Sequence, residues 1–260
     1  MIMKRVQKVI VIILSFCLVS IASLRIGNEP TESSLSESEQ QEQGEEPRSQ
    51  TASSISADII VPSEEPKQLP NIKEDSWRFT LVNNTHVLSE SFVPDVVEVE
   101  NGQFIDARIV GPLQEFLNAA RNAGYTVYLS TAYRPISSQR YIFFGKASQI
   151  AWGGVEYAEA EMMAREIVAY PGTSEHQLAI AVDIMDSAET VMDAEEANDM
   201  PLFVWLSEHC AEYGFIARYP KDKQDITGWY EPWHFRYVGA EAAEYITTNN
   251  LCLEEFLGLY

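Results

Sequence analysis

Residues 171–183 read Pro-Gly-Thr-Ser-Glu-His-Gln-Leu-Ala-Ile-Ala-Val-Asp, and the second half of this stretch decides the fold. Ala179 to Ile184 is an apolar run too short for a helix, bounded by turn residues, and reads as a buried strand. Asp183 lies inside it, where an ionised carboxylate is costly unless a cation or a metal compensates it. A second strand is expected from Trp233 to Val238, and a third from Phe215 to Tyr219. Tyr125 to Ala132 (YTVYLSTA) is rich in β-branched and aromatic residues and reads as another buried strand. Phe79–Val82 and Val96–Val99 read as short strands, with Asn83-Asn84 and Asn101-Gly102 as turns. Between the strands lie helical patterns. Leu113, Phe116, Leu117 and Ala120 recur at i, i+3, i+4 and i+7, so 112–123 is a helix opened by Pro112 and stopped by Gly124. Further helices are expected over 138–151, 156–168, 202–213 (closed by Gly214) and 240–248, with a short piece after the last. Strands and helices mix without regular alternation. The fold class is therefore α+β, a small, mostly antiparallel sheet flanked by helices.

The 260 residues carry 18 Lys+Arg against 39 Asp+Glu, a formal charge of -21. Phosphate backbones would be repelled, so no nucleic-acid partner is expected. Residues 1–28 hold four bases and no acid, 29–70 hold ten acids and two bases, and 71–260 keep a charge of -17. Lys4, Arg5 and Lys8 precede an uncharged apolar run, Val9–Leu24, as in an export signal. Its length lies between a signal-peptide core and a membrane span. Cleavage after Ala22 and an uncleaved membrane anchor both fit. Phe16 is bulky where a lipidation site at Cys17 wants a small residue. Residues 29–70, dominated by Ser, Glu, Gln and Pro, read as a disordered acidic linker. The expected organisation is an export or anchor segment (1–28), a linker (29–70) and a folded domain (71–260) outside the cytoplasm.

Several chemistries are absent. The chain has no G-x-S-x-G elbow, no H-E-x-x-H helix, no S-x-x-K serine, and no G-x-G-x-x-G or Walker A loop. Of four histidines, His86 reads as a loop residue and His209 as a surface or core-edge residue. Cys210 and Cys252 read as buried thiols, with a disulfide between them an open alternative in an exported protein. The acids Glu189, Asp193, Glu195, Glu196 and Asp199 lack calcium-loop spacing and read as a solvated loop. There remain His176, Asp183 and the segment Glu231-Pro-Trp-His234. Pro232 argues against a helix there, but a bent strand could aim Glu231 and His234 into one cleft. Two His and one Asp are suitable zinc ligands with a fourth position for water, and Glu231 would be the general base. A set of satisfied buried polar groups fits the same spacing.

Ser174-x-His176-x-x-x-x-Ala181-x-Asp183, then Glu231-Pro-Trp-His234, resembles the VanY-like zinc D-alanyl-D-alanine carboxypeptidase family, whose pattern is S-x-H-x-x-G-x-A-x-D followed by E-x-W-H. Tyr133-Arg134, with Gln139 five residues on, resembles a third family segment, and the likeness runs from about Phe104 to Leu251. The resemblance implies one zinc per chain on His176, Asp183 and His234, with Glu231 as catalytic base. It also implies that Arg134 supports the oxyanion and that Ser174 and Gln139 position substrate; Trp233, beside a ligand, is expected to line the pocket. The implied reaction removes the C-terminal D-Ala from peptidoglycan stem peptides. L,D-carboxypeptidase and endopeptidase activities share these motifs. A silent zinc- or wall-binding module is a further alternative, against which the presence of Glu231 counts. One departure stands out: the family glycine is Ala179 here, where a Cβ could hinder a backbone angle.

Overall fold

The computed structural model describes residues 76–188, 190 and 193–259. The segments expected at 1–28 and 29–70 lie outside the described residues. Among the described residues no helix is long and apolar enough to cross a membrane.

In chain order the elements are β1 (Val96–Glu98), β2 (Phe104–Asp106), α1 (Val110–Asn122), β3 (Tyr128–Thr131), α2 (Ile136–Trp152), α3 (Tyr157–Arg165), β4 (Ala181–Met185), α4 (Ala194–Ala197), α5 (Pro201–His209), β5 (Phe215–Tyr219), α6 (Gln224–Thr227), β6 (Glu231–Tyr237), α7 (Ala240–Thr248) and α8 (Leu253–Phe256). β1 and β2 form a two-stranded hairpin across Asn101-Gly102, both at positive φ as a tight turn requires. The main sheet has the order β3-β4-β6-β5, every pair antiparallel. This bears out the α+β expectation.

One face of the sheet carries the apolar core. Leu113, Phe116, Leu117 and Ala120 of α1 pack in one cluster with Val182 and Ile184 of β4, Trp233 and Phe235 of β6, and Phe215 of β5. Phe116 is central, its ring 5.4–5.5 Å from those of Tyr213, Phe215 and Phe235. The alternation of strand side chains sends Ile216 to the other face, where it joins Phe79, α7 and α8 in a second cluster. α2 and α3 form a hairpin around their own small cluster of Phe143, Ala147 and Ala164. A short 3-10 turn, Cys210–Tyr213, ends at Gly214 with φ of 80°. A Cβ there would press on Tyr237 and the Gly239 backbone at 2.9–3.1 Å, so glycine is required.

Two expectations are corrected. Phe79–Val82 is not a strand. Ser76–Phe79 is a 3-10 turn, and the carbonyls of Arg78 and Thr80 accept from the buried guanidinium of Arg236, each at 2.9 Å, in place of a neighbouring strand. Cys210 and Cys252 are both buried free thiols, so the disulfide alternative is not realised.

Candidate active site

The 3-10 turn Glu175–Leu178 and the strand pair β4–β6 bring together residues distant in sequence. His176 sits in the turn, and Ala179 ends it in the left-handed conformation, with φ of 60°. That is the position where the resemblance expects glycine. The methyl group is accommodated, at the cost of a conformation L-residues avoid. The turn is tied to its surroundings: the His176 carbonyl accepts from the Arg134 and Ala179 amides at 3.1 and 3.2 Å. Asp183 and His234 stand opposite each other in the β4–β6 register.

His176 Nδ1 lies 2.9 Å from the Ala132 carbonyl, which can only accept, so this nitrogen carries the proton. Its Nε2 is thereby left with a lone pair and lies 3.2 Å from Asp183 Oδ2. On the other side His234 Nδ1 lies 3.0 Å from Asp183 Oδ1. The two imidazole rings are 4.8 Å apart and nearly perpendicular. All three residues are buried, and one donor atom from each falls within 4.8 Å of the others. Nitrogen, nitrogen and carboxylate oxygen at such separations form a donor set suited to a single zinc ion with one coordination position left over. The electrostatics agree. Burial would raise the pKa of Asp183, but the two imidazoles more than reverse this and hold it well below the usual carboxylate range. Burial lowers the pKa of His176, and nearby Arg134 adds to that. His234 is instead raised to about 9 despite its burial, because Asp183 and Glu175 favour its protonated form. A metal ion here would displace the proton that His234 shares with Asp183.

Glu231 begins β6, with its Oε2 3.7 Å from His234 Nδ1. Burial raises its pKa to about 7 against the opposing pull of His234 and Arg134. A carboxyl poised there can take and return a proton near neutrality. Arg134 is partly buried, and its guanidinium is close enough to Asp183 and Glu231 to feel both charges. One of its terminal nitrogens donates to Ser174 Oγ at 3.3 Å.

Two expected substrate contacts are placed differently. Trp233 is in the main hydrophobic core, on the opposite face of β6 from His234, because strand neighbours alternate. Tyr230 takes the aromatic position beside the base: it lines a 220 Å³ cleft with Tyr219, Glu231 and Pro232, its hydroxyl donating to Asn198 at 2.6 Å. Gln139 is buried and its amide nitrogen donates to the Ala169 carbonyl at 2.6 Å. It therefore braces the loop leading to Ser174.

Sequence reasoning missed the layer behind the ligands. Glu175 is fully buried, as are Arg218 and Arg236. Glu175 Oε1 accepts from Arg218 Nε at 2.8 Å and lies 2.8 Å from an Arg236 terminal nitrogen. Arg218 also pairs in bidentate fashion with Glu254 of α8, at 2.6 and 3.0 Å. Burial alone would raise the pKa of Glu175, but Arg218, Arg236 and His234 overcome this and hold it far below its usual value. The available signal was two arginines inside otherwise apolar strands.

Two imidazoles and a carboxylate around one point, with the Glu231 carboxyl alongside, fit a mononuclear zinc hydrolase. The comparisons with known proteins are specific about which. Residues 102–240 match the family described as VanY: D-alanyl-D-alanine carboxypeptidase. A D-alanyl-D-alanine carboxypeptidase of Enterococcus faecalis is 40% identical over 185 residues, covering 71% of this chain and 67% of that protein. Among solved structures, a substituted VanY D,D-pentapeptidase from a VanB-type resistance cassette, in complex with Zn(II), is 40% identical with a TM-score of 0.61; the match covers 70% of this chain and 99% of that one. The LdcB LD-carboxypeptidase is 34% identical with a TM-score of 0.57, covering 68% and 84%. The chain belongs to the VanY family of D-alanyl-D-alanine carboxypeptidases, and its activity is that of a zinc metallopeptidase.

Proposed function

We propose that this protein removes the C-terminal D-Ala from peptidoglycan stem peptides ending in D-Ala-D-Ala, with His176, Asp183 and His234 as the zinc ligands and Glu231 as the catalytic base. The observation that carries this reading is the buried convergence of the three donors beside a carboxyl whose pKa is raised to about 7. Zinc in this site would supply Lewis acidity toward the scissile carbonyl and lower the pKa of a water. Glu231 takes the proton from the attacking water and delivers it to the amine of the departing D-Ala, so one carboxyl serves both halves of the hydrolysis. Arg134 faces the carbonyl oxygen as it gains negative charge. A cation fixed there by Ser174 stabilises the transition state more than the ground state. Tyr230 and Tyr219 form the wall next to Glu231.

The basic and apolar start of the chain supports a place outside the cytoplasm, held to the membrane if the segment is retained. A second reading, L,D-carboxypeptidase activity, is favoured by the likeness to LdcB. Incubating the full chain with defined stem peptides, one ending in D-Ala-D-Ala and one in a single D-Ala, separates the two by mass spectrometry. Release of one D-Ala from the first, abolished by a chelator and restored by zinc, is the expected result. Cleavage of only the second peptide supports the L,D reading. Zinc-loaded, folded protein that cleaves neither rejects both.

A further inference from the structure

His234 can offer only one of its two nitrogens to a metal, and the other, being buried, must be satisfied by a neighbouring polar group. Its Nδ1 faces Asp183, while its Nε2 is buried with no hydrogen-bond partner. Glu175 Oε2 is likewise buried and unpartnered, although Oε1 of the same carboxylate is fully engaged. These two atoms lie 3.7 Å apart. One is a donor lacking an acceptor and the other an acceptor lacking a donor. Such orphans are rare in native interiors, and a facing pair points to a shared bond that closes with a small ring tilt.

We infer that Glu175 is a positioning residue for the metal site: it receives the Nε2 proton of His234, which fixes the tautomer and leaves the Nδ1 lone pair to the zinc. This rests on the ligand assignment proposed above. Carboxylate–imidazole–metal arrangements orient the ring and raise the basicity of the ligating nitrogen. What distinguishes this site is how the carboxylate itself is held. Arg218 and Arg236 grip Glu175 from two neighbouring strands, β5 and β6. Arg218 is in turn held by Glu254, and Arg236 by the carbonyls of Arg78 and Thr80. Two carboxylates and two guanidiniums compensate one another, so no net charge is left buried. The buried network thus extends to helix α8 and to the segment before β1, and within it Glu175 is the member that faces His234 Nε2.

The anchoring supplies a control. Glu254→Gln weakens the same buried network at the end remote from His234, whereas Glu175→Gln also removes the charge facing Nε2. In the full chain, Glu175→Gln is expected to lower zinc affinity about 10- to 100-fold, read by competition with a chromophoric chelator, and to shift the absorption bands of the cobalt-substituted protein. Glu254→Gln should lower the melting temperature of the zinc-free protein yet leave zinc affinity and the cobalt spectrum unchanged. Equal loss of zinc affinity in both variants would reduce Glu175 to a structural role and overturn the inference, as would unchanged affinity in Glu175→Gln. Should Glu175→Gln fail to fold, nitrogen-detected imidazole NMR of the unsubstituted zinc-loaded chain decides. A slowly exchanging proton on His234 Nε2 supports the assignment, and a proton on Nδ1 rejects it. Failure to hydrolyse stem peptides with these signatures intact would count against the substrate and leave the positioning role standing.

Discussion

The two faces of the β4–β6 strand pair are built from the same few residues of chain and have opposite chemistry. On one face Val182, Ile184, Trp233 and Phe235 pack against α1 and are stabilised by removal from water. On the other, Asp183, His234 and Arg236 are equally buried but polar, and stable only because each finds a partner. The first face tolerates a change of side chain in proportion to the volume lost. The second depends on complete sets, since one missing member strands a charge. A period-two strand allows both faces to be specified within one heptapeptide, Glu231–Tyr237.

Substitutions on either face should separate chemistry from stability. The largest effect is expected from Glu231→Ala, with kcat/KM lower by about 10²- to 10⁴-fold while metal analysis still finds zinc bound. Turnover equal to that of the unsubstituted protein would reject the assigned base. The mirror experiment is Phe116→Ala beneath the apolar face. It should cost about 3–5 kcal/mol of unfolding free energy in a denaturant titration, with kcat little changed in the molecules that remain folded. A comparable fall in kcat would mean that the two faces are mechanically coupled. The smallest effect concerns the turn entering β4. Ala179→Gly relieves a left-handed alanine but adds freedom to the unfolded chain, for a net gain of about 0.5–1 kcal/mol. An unchanged or lower melting temperature would show that the alanine methyl, buried in the turn, contributes packing that outweighs its backbone cost.

Much of this arrangement was legible in the chain. The α1 stripe follows from its 3.6-residue period, Asp183 and His234 stand out as polar residues in apolar strands, and the family resemblance joined His176 to them. Ala179 was flagged by the resemblance, which has glycine there, and the backbone angle that a Cβ hinders is its left-handed φ of 60°. The strand assigned to Phe79–Val82 failed because the partner of its carbonyls is an arginine side chain 156 residues further on, which no local pattern reveals. Trp233 was misplaced because adjacency in sequence means opposite faces in a strand. The Glu175–Arg218–Glu254 network was missed because its pairs are 43 and 36 residues apart, and charged residues at such spacing look like ordinary surface.

Asp183 and His234 are direct register partners although 51 residues separate them in the chain. An ion bound to both is a rivet between two strands, and it can be set only after β4 and β6 have aligned. Binding to the folded form alone would add about 2.7 kcal/mol to stability at a free metal concentration one hundred times the Kd. Metal supply would then govern the protein's lifetime against proteases as well as its rate, and a chain starved of zinc would be both idle and short-lived.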